Sequence, residues 1–212
     1  MSAPAPAYSL RDVTVRLGER DVLSHVTADF AAGRVHVVRG ASGAGKTTLL
    51  RLLMGLVEPV SGSVARPEGA RLAAAFQEDR LLDSLTVSAN VRLPHGGVRG
   101  PERARLLDET RRALAAVGMA GLESARAGEL SGGQRRRVSL LRAGLATSDV
   151  MYLDEPLRGL DERTARATMA WLLPRLAGKT VLWVTHSEAE AAALPAPVLW
   201  TVDGGRVRPD RM

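Results

Sequence analysis

The spacing of apolar and polar residues predicts strands toward both ends of the chain with helices between them. Residues 8–15, YSLRDVTV, alternate apolar and polar as a half-buried strand does, and a second strand follows a polar turn at about 22–30. Residues 34–40 form a short β-branched run that ends in glycine, and further strands are indicated at 62–65 and 71–76. The N-terminal part of the chain is therefore predicted to be rich in β-structure.

Helical periodicity predicts a first helix at 46–56, where the apolar residues form a stripe, and a mostly helical block from about 86 to 147. Within that block the clearest amphipathic helix is PERARLLDETRRALAAVGM, at 101–119. It opens with Pro101, and proline is favoured in the first turn of a helix.

Strands and helices alternate again toward the C-terminus. The pattern predicts strands at 149–154, 180–185 and 197–202, with helices at 161–177 and 187–194. Alternation of this kind is typical of a parallel sheet covered by helices. Because the helical block interrupts the alternation, the sequence predicts an α/β core with an inserted helical subdomain.

The composition is ordinary for a soluble globular chain, with 45% hydrophobic and 25% charged residues in a length of 212. No apolar run approaches the roughly 18 residues needed to span a bilayer. The first residues, MSAPAPAY, lack the basic and apolar regions of a secretory signal, and we expect them to be a short disordered lead-in. The absence of cysteine excludes disulfides and fits the cytoplasm.

Arginine supplies almost all of the positive charge, since Lys46 and Lys179 are the only lysines and the net charge is +6. A basic balance can indicate nucleic acid or an anionic membrane as a partner. It can also be a compositional bias, which the abundance of alanine and arginine along the whole chain favours. The one marked cluster is the run of arginines at 135–137.

The first motif that carries chemistry is GASGAGKTT at 40–48, which fits G-x-x-x-x-G-K-[ST] between a predicted strand and a predicted helix. Its glycines let the backbone turn so that N–H groups point at phosphate oxygens. Lys46 is expected to reach the β- and γ-phosphates, and the Thr47 hydroxyl to bind Mg²⁺. The other residues expected to contact the phosphates are Gly40, Ser42, Gly43, Ala44, Gly45 and Thr48. The alternative is a glycine-rich turn with a chance lysine.

The second motif is DVMYLDEP at 149–156, an apolar strand that ends in two acids. In enzymes that bind nucleotides through such a loop, a neighbouring strand ends in a carboxylate that holds Mg²⁺. This pattern assigns Asp154 to the metal. Glu155 points elsewhere and is expected to polarise the water that attacks the γ-phosphate. The alternative is a strand end with two solvated acids.

The third motif is LSGGQRRR at 130–137, which opens a predicted helix. Together with the two motifs above, it resembles the ATP-binding cassette (ABC) family of ATPases, whose signature is LSGGQ, and the resemblance covers residues 8 to 208. The signature residues here are Leu130, Ser131, Gly132, Gly133 and Gln134. A helix start with exposed N–H groups is an anion site. The resemblance implies that this anion is the γ-phosphate of ATP on a second copy, packed head to tail.

The resemblance assigns roles to three further residues. Gln77 looks like the Q-loop glutamine, which contacts Mg²⁺ or the attacking water and senses the transmembrane partner. His186 looks like the switch histidine that bonds the γ-phosphate, and Asp161 looks like the D-loop aspartate that links the two ATP sites.

Two positions depart from the family pattern. The family often stacks an aromatic ring on adenine, and the matching position here is near Leu17, so apolar contact replaces stacking. Gly159 stands in the D-loop where the family commonly has a less flexible residue.

The fold that the resemblance implies is an α/β P-loop NTPase with a RecA-like core, an N-terminal antiparallel β subdomain and an inserted helical subdomain. We expect one ABC ATPase domain over 1–212, with the core at about 8–77 and 148–208 and the helical subdomain at about 78–147. Because the chain stops soon after the last strand, no C-terminal regulatory domain is expected.

The function that the resemblance implies is the ATP-hydrolysing subunit of an ABC transporter at the cytoplasmic face of the membrane. Its expected partners are a separate transmembrane permease, a second cassette in a homodimer and a substrate-binding protein, with no nucleic acid. The stretch QEDRLLDSLTVSANV resembles cassettes of small-solute importers for sulfonates, nitrate or pyrimidines, which favours import. The alternatives are a soluble ABC ATPase acting on DNA, ribosomes or iron–sulfur assembly, and a cassette that no longer hydrolyses ATP.

Overall fold

A computed structural model describes residues 6–210, with the backbone alone described at Pro6. The expected lead-in MSAPAPAY therefore lies mostly outside the described residues. The prediction of disorder is wrong for the last residues of this stretch, because the first strand begins at Pro6 and Tyr8 is buried.

The chain divides into two compact units. The first contains the residues up to 72, then 149–155 and the residues from 178 onward, and the second contains 73–148 and 156–177.

An antiparallel sheet lies at the start of the first unit. Strands β1 (Pro6–Leu17), β2 (Arg20–Ala31) and β4 (Ser61–Ala65) pair in the order β2-β1-β4. The alternating pattern buries one face, including Leu10 and Val13. The first two strands form a hairpin around a two-residue turn at 18–19.

The first unit also holds a mostly parallel sheet, in which the strands run in the order β6-β7-β3-β8-β9. These strands are β3 (Val35–Arg39), β6 (Val150–Asp154), β7 (Thr180–Val184), β8 (Val198–Asp203) and β9 (Arg206–Pro209). β9 pairs antiparallel with β8 and was missed in the sequence analysis. Its signal was the pair Gly204 and Gly205, whose φ values of 52° and 76° suit a two-residue hairpin turn.

Six helices occur among the described residues, and short 3₁₀ turns at 93–95, 127–129 and 173–176 extend or connect them. The helices are α1 (Lys46–Leu53), α2 (Val87–Arg92), α3 (Gly100–Ala116), α4 (Gly132–Leu145), α5 (Glu162–Leu172) and α6 (Glu188–Ala193). The strand β5 (Leu72–Ala75) leads from the first unit into the second. In the part of the chain that the structure describes, no helix is both long enough and apolar enough to cross a membrane.

The second unit contains the predicted helical stretch 78–147 and, in addition, α5, which the sequence analysis placed in the core. The physical reason is the packing of α5 on α4: Gly144 leaves room for the ring of Trp171, which is buried. The helical block is also interrupted by loops, where Gly118 and Gly121 adopt positive φ. The single domain over 1–212 stays a prediction.

Candidate functional site

The glycine-rich loop 40–45 of the first unit connects β3 to α1. Gly40 has φ +149°, and a Cβ there would lie 2.2 Å from the carbonyl oxygen of Val202, so the close approach of β8 requires glycine. Gly45, at φ +109°, is the residue before α1 and lies against Val22 and Leu23. Gly43 has φ +75°. These conformations explain why glycine recurs along the loop.

Lys46 begins α1 and is 8% exposed. Its Nζ donates hydrogen bonds to the carbonyl oxygens of Gly40 and Ala41, both at 2.8 Å. The ammonium group is thus held over the loop by neutral acceptors, which leaves its charge available to an anion. The Ala44 N–H closes the loop on Ala41 O at 3.2 Å. Ser42 is exposed and Thr48 is buried beside them.

Thr47 and Asp154 meet at the end of β6. The Thr47 hydroxyl donates to Asp154 Oδ2 at 2.8 Å, and Asp154 is 2% exposed. A hydroxyl and a carboxylate are hard oxygen ligands of the kind Mg²⁺ takes, usually together with phosphate oxygens and water. No cluster of three or more histidines, cysteines or acids capable of holding a metal occurs within residues 6–210. The pair therefore fits a magnesium ion that phosphates help to bind.

Glu155 follows Asp154 in a left-handed conformation, with φ 47°. Its N–H donates to the carbonyl oxygen of Val184 at 2.9 Å, which fixes the turn after β6 against β7. Its Oε1 lies 3.7 Å from Nδ1 of His186, too far for a direct hydrogen bond. The structure therefore brings these two predicted residues together, with His186 the more exposed of the pair.

Leu17 is the last residue of β1 and is 44% exposed. It stands beside the turn that opens β2, where Arg16 and Asp21 form an exposed ion pair. An exposed leucine at this hairpin can offer apolar contact to a base.

In the second unit, the signature stretch forms the start of α4. The Ser131 side chain accepts from the Gln134 N–H at 3.4 Å, and the Gln134 side chain accepts from the Ser131 N–H at 2.9 Å. This is a capping box, and its S-x-x-Q spacing is readable in the sequence. A Cβ on Gly132 would meet no atom within 4 Å. The helix start is therefore open to an approaching anion.

The three arginines that follow are used inside the second unit. Arg135 donates to Asp83 Oδ1 at 2.7 Å, and Arg136 donates to Asp79 Oδ1 at 3.2 Å. Arg137 donates to the Val117 carbonyl oxygen at 2.8 Å. These contacts engage the three guanidinium groups within the unit, which weighs against a nucleic-acid patch.

Gln77 and Gly159 line a cavity of about 500 Å³ in the second unit. The full lining is Gln77, Glu78, Asp79, Gly132, Arg136, Arg158 and Gly159. Gly159 has φ +75°, so glycine suits this position whatever its effect on loop flexibility.

Asp161 caps α5, where its side chain accepts from the Thr164 N–H at 2.9 Å. Hydrogen bonding from the Thr164 side chain, and then from its backbone N–H, lowers the pKa of Asp161 below its ordinary value, so this carboxylate is charged at neutral pH.

The residues that hold the segment around Gln77 were not predicted from the sequence. Asp79 and the arginines Arg136 and Arg142 of α4 form that support. A signal existed in the acids after Gln77 and the arginines at helical spacing, but only the fold pairs them. The catalytic, nucleotide-binding and metal-binding roles of the residues described above stay predictions.

Comparison with known proteins identifies similar chains. The sequence profile of the family described as "ABC transporter" matches residues 23–158. "Aliphatic sulfonates import ATP-binding protein SsuB 1" of Agrobacterium fabrum is 40% identical over 211 residues, covering 96% of this chain and 74% of the relative. The protein of the same name in Mesorhizobium japonicum is 42% identical, covering 96% and 78%.

A solved structure, a dimeric ATP-binding cassette in a post-hydrolysis state with ADP and Pi, is also similar. It superposes with a TM-score of 0.82 at 25% identity, covering 96% of this chain and 98% of its own. A second dimeric structure, of a bacterial ABC transporter cassette, gives a TM-score of 0.83. The predicted α/β P-loop fold is thereby confirmed.

Proposed function

Because the chain belongs to the ABC transporter family and is an ATP-binding subunit that hydrolyses ATP, we propose that it powers the import of aliphatic sulfonates. The solute moves through a separate permease, which this chain joins as a peripheral subunit at the cytoplasmic face. The observation that carries the proposal is the 40% identity, over 96% of the chain, to a protein named for this import. A substrate-binding protein that delivers the sulfonate is the third component.

ATP and Mg²⁺ occupy the first unit in this proposal. Lys46 and the N–H groups of the loop 40–48 bind the phosphates. Thr47 and Asp154 hold Mg²⁺, whose charge offsets the negative phosphates. Leu17 contacts the adenine by its apolar side chain. The supporting observation is the pairing of the Thr47 hydroxyl with the Asp154 carboxylate at 2.8 Å.

Hydrolysis needs a group that accepts a proton from the attacking water. We assign that role to Glu155. His186 forms a hydrogen bond to the γ-phosphate, and Gln77 contacts either Mg²⁺ or the attacking water. The support is the backbone N–H of Glu155, which donates to the Val184 carbonyl oxygen at 2.9 Å, and the Glu155 Oε1, which lies 3.7 Å from Nδ1 of His186. Because the backbone of Glu155 is fixed, fewer positions are available to its carboxylate, which favours a position close to the attacking water.

A second copy of the chain completes the site. The capping box Ser131–Gln134 faces the γ-phosphate bound by the other copy, and Asp161 links the two sites. Closure on ATP and opening after hydrolysis drive the permease between two states.

Growth on a sulfonate tests the proposed import. In cells that lack the gene, the intact chain should restore growth with an alkanesulfonate as the only sulfur source, because uptake limits that growth. The Lys46→Ala chain should fail, since it loses the charge that faces the phosphates. Sulfate is the control sulfur source, on which all strains should grow equally. Growth of the Lys46→Ala strain on the sulfonate would contradict the proposal.

A further inference from the structure

Helix α4 holds the segment that carries Gln77 through arginine side chains. Arg142 donates to the carbonyl oxygens of Arg80 and Asp79 at 2.9 and 3.1 Å. Arg135 donates to Asp83 at 2.7 Å, farther along the same segment. Segment and helix lie in the same compact unit, and we call residues 76–83 the anchored loop.

Arg136 is the member of this set that contacts the loop on both sides of Gln77. It is 4% exposed, and one guanidinium nitrogen donates to the carbonyl oxygen of Phe76 and to Asp79 Oδ1. Phe76 immediately precedes Gln77, and Asp79 comes two residues after it. A planar guanidinium with several fixed donors can hold two acceptors in a set geometry.

The Asp79 carboxylate is partly buried, and that burial raises its pKa, although the positive charges of Arg136, Arg135 and Arg142 oppose the rise. A buried carboxylate without a cationic partner is unfavourable. The positive charge of Arg136 therefore stabilises the ionised carboxylate of Asp79. This pair, together with the hydrogen bond from Arg136 to the Phe76 carbonyl oxygen, fixes the backbone of the loop.

Gln77 itself is left free by this arrangement. Among the residues that the structure describes, its side chain has no hydrogen-bond partner and it is exposed, facing the 500 Å³ cavity that Arg136 also lines. The backbone on either side is fixed while the amide can reach a ligand. Arg136 also lies two residues after Gln134, in the first turns of the helix that the capping box opens.

We propose that Arg136 is a positioning residue for ATP hydrolysis, which fixes the backbone around Gln77 so that this glutamine moves as one body with the signature helix. The inference rests on the role given to Gln77 under the proposed function. A loose loop would leave the Gln77 amide misplaced, and a misplacement near 1 Å can slow a reaction by about 100-fold.

The test compares Arg136→Gln and Arg136→Lys with the intact chain in steady-state ATP hydrolysis. Arg136→Gln should lower kcat about tenfold to 100-fold with little change in KM, because the nucleotide is bound by other residues. Arg136→Lys should recover part of the loss, since an ammonium can still bind Phe76 O or Asp79. Hydrogen exchange at 76–83 should rise in Arg136→Gln. The matched control is Arg111→Gln, because Arg111 is an exposed arginine of α3 that pairs with Asp108.

A double variant separates positioning from a general structural role. If Arg136 acts through Gln77, adding Arg136→Gln to Gln77→Ala should cause no further loss of kcat. The inference would be overturned if the double variant lost kcat by the product of the two single losses. It would also be overturned if Arg136→Gln left either kcat or the hydrogen exchange at 76–83 unchanged. Hydrolysis by the intact chain is measured in the same series, so failure of the Arg136 result leaves the ATPase assignment standing, whereas inactivity of the intact chain would remove both.

Discussion

At the scale of single residues, we expect the side chain at position 17 to contact the base of the nucleotide. Leu17 is aliphatic and 44% exposed at the end of β1. We expect Leu17→Tyr to tighten ATP binding about fivefold, because an aromatic ring stacked on adenine adds about 1 kcal/mol beyond the buried area. Isothermal titration of the monomer measures the change, with Leu17→Val as the control. Equal affinity in all three chains would place the adenine contact elsewhere.

His36 is a buried residue whose two ring nitrogens are both engaged. Trp200 Nε1–H donates to its Nδ1 at 3.1 Å, and its Nε2–H donates to the Ala31 carbonyl oxygen at 2.9 Å. Burial lowers the pKa of His36 below its ordinary value, and the nearby positive charge of Arg34 acts in the same direction. The folded chain therefore holds the neutral ring, which Trp200 requires as an acceptor.

The free energy of unfolding should fall in mild acid because of this histidine. Below the ordinary value of about 6.5, the unfolded chain takes up a proton that the folded chain refuses, so stability decreases by up to about 1.4 kcal/mol per pH unit. Urea unfolding between about pH 7 and about pH 5 measures the slope. His36→Gln keeps a donor and an acceptor without titrating, and its stability should fall less over the same interval. Equal slopes in the two chains would refute this explanation.

Among the elements, α4 and α5 pack where Gly144 lies against Trp171. A Cβ at Gly144 would lie 2.6 Å from the Trp171 ring. The guanidinium of Arg175, in the 3₁₀ turn that follows α5, lies 4.0 Å from the centre of that ring. Gly144→Ala should therefore destabilise the second unit by about 1–3 kcal/mol through overpacking. Urea unfolding checks this. Gly97→Ala, where a Cβ would meet nothing within 4 Å, is the control and should change stability little.

The sequence predicts most elements because their patterns are local. Alternation at 8–15 and the stripe at 46–56 suffice for β1 and α1, and the loop 40–48 is recognisable from its glycines and lysine alone. β9 was readable from the Gly204–Gly205 turn but is too short to show a period. Boundaries shift by a few residues, since helix ends depend on caps.

Contacts between distant segments could not be predicted from patterns. The pairing of Arg136 with Asp79 joins residues 57 positions apart, and the placement of α5 depends on the space at Gly144. Neither contact produces a repeating pattern of apolar and polar residues that could be recognised in the sequence. For the same reason, the partners of the arginine run at 135–137 could not be identified from the sequence, although nucleic acid was not expected to be among them.

At the scale of the whole molecule, the positive charge does not form a binding surface of its own at the arginine run. Arg135 and Arg136 are paired with carboxylates, and Arg137 is bonded to a backbone carbonyl. The net charge of +6 is otherwise spread over the chain. We expect the functional surface to be the open start of α4 instead, because an anion on another copy could approach it.

We propose that the capping box Ser131–Gln134 of one copy closes on ATP held by another. The most direct measurement is the mass, by light scattering, of the Glu155→Gln chain with and without Mg²⁺ and ATP. The amide of the introduced glutamine cannot accept a proton from water, so hydrolysis should stop while the loop 40–48 stays intact. The variant should therefore be a monomer alone and a dimer with Mg²⁺ and ATP.

Adding Gly133→Asp should keep that chain monomeric, because a carboxylate would oppose the γ-phosphate of the second copy. The fold tolerates the change, since a Cβ at Gly133 would meet Leu160 at an ordinary 3.5 Å. ATP affinity of the monomer should be unchanged. A double variant that still dimerises with ATP, or a Glu155→Gln chain that stays monomeric at saturating ATP, would contradict the account.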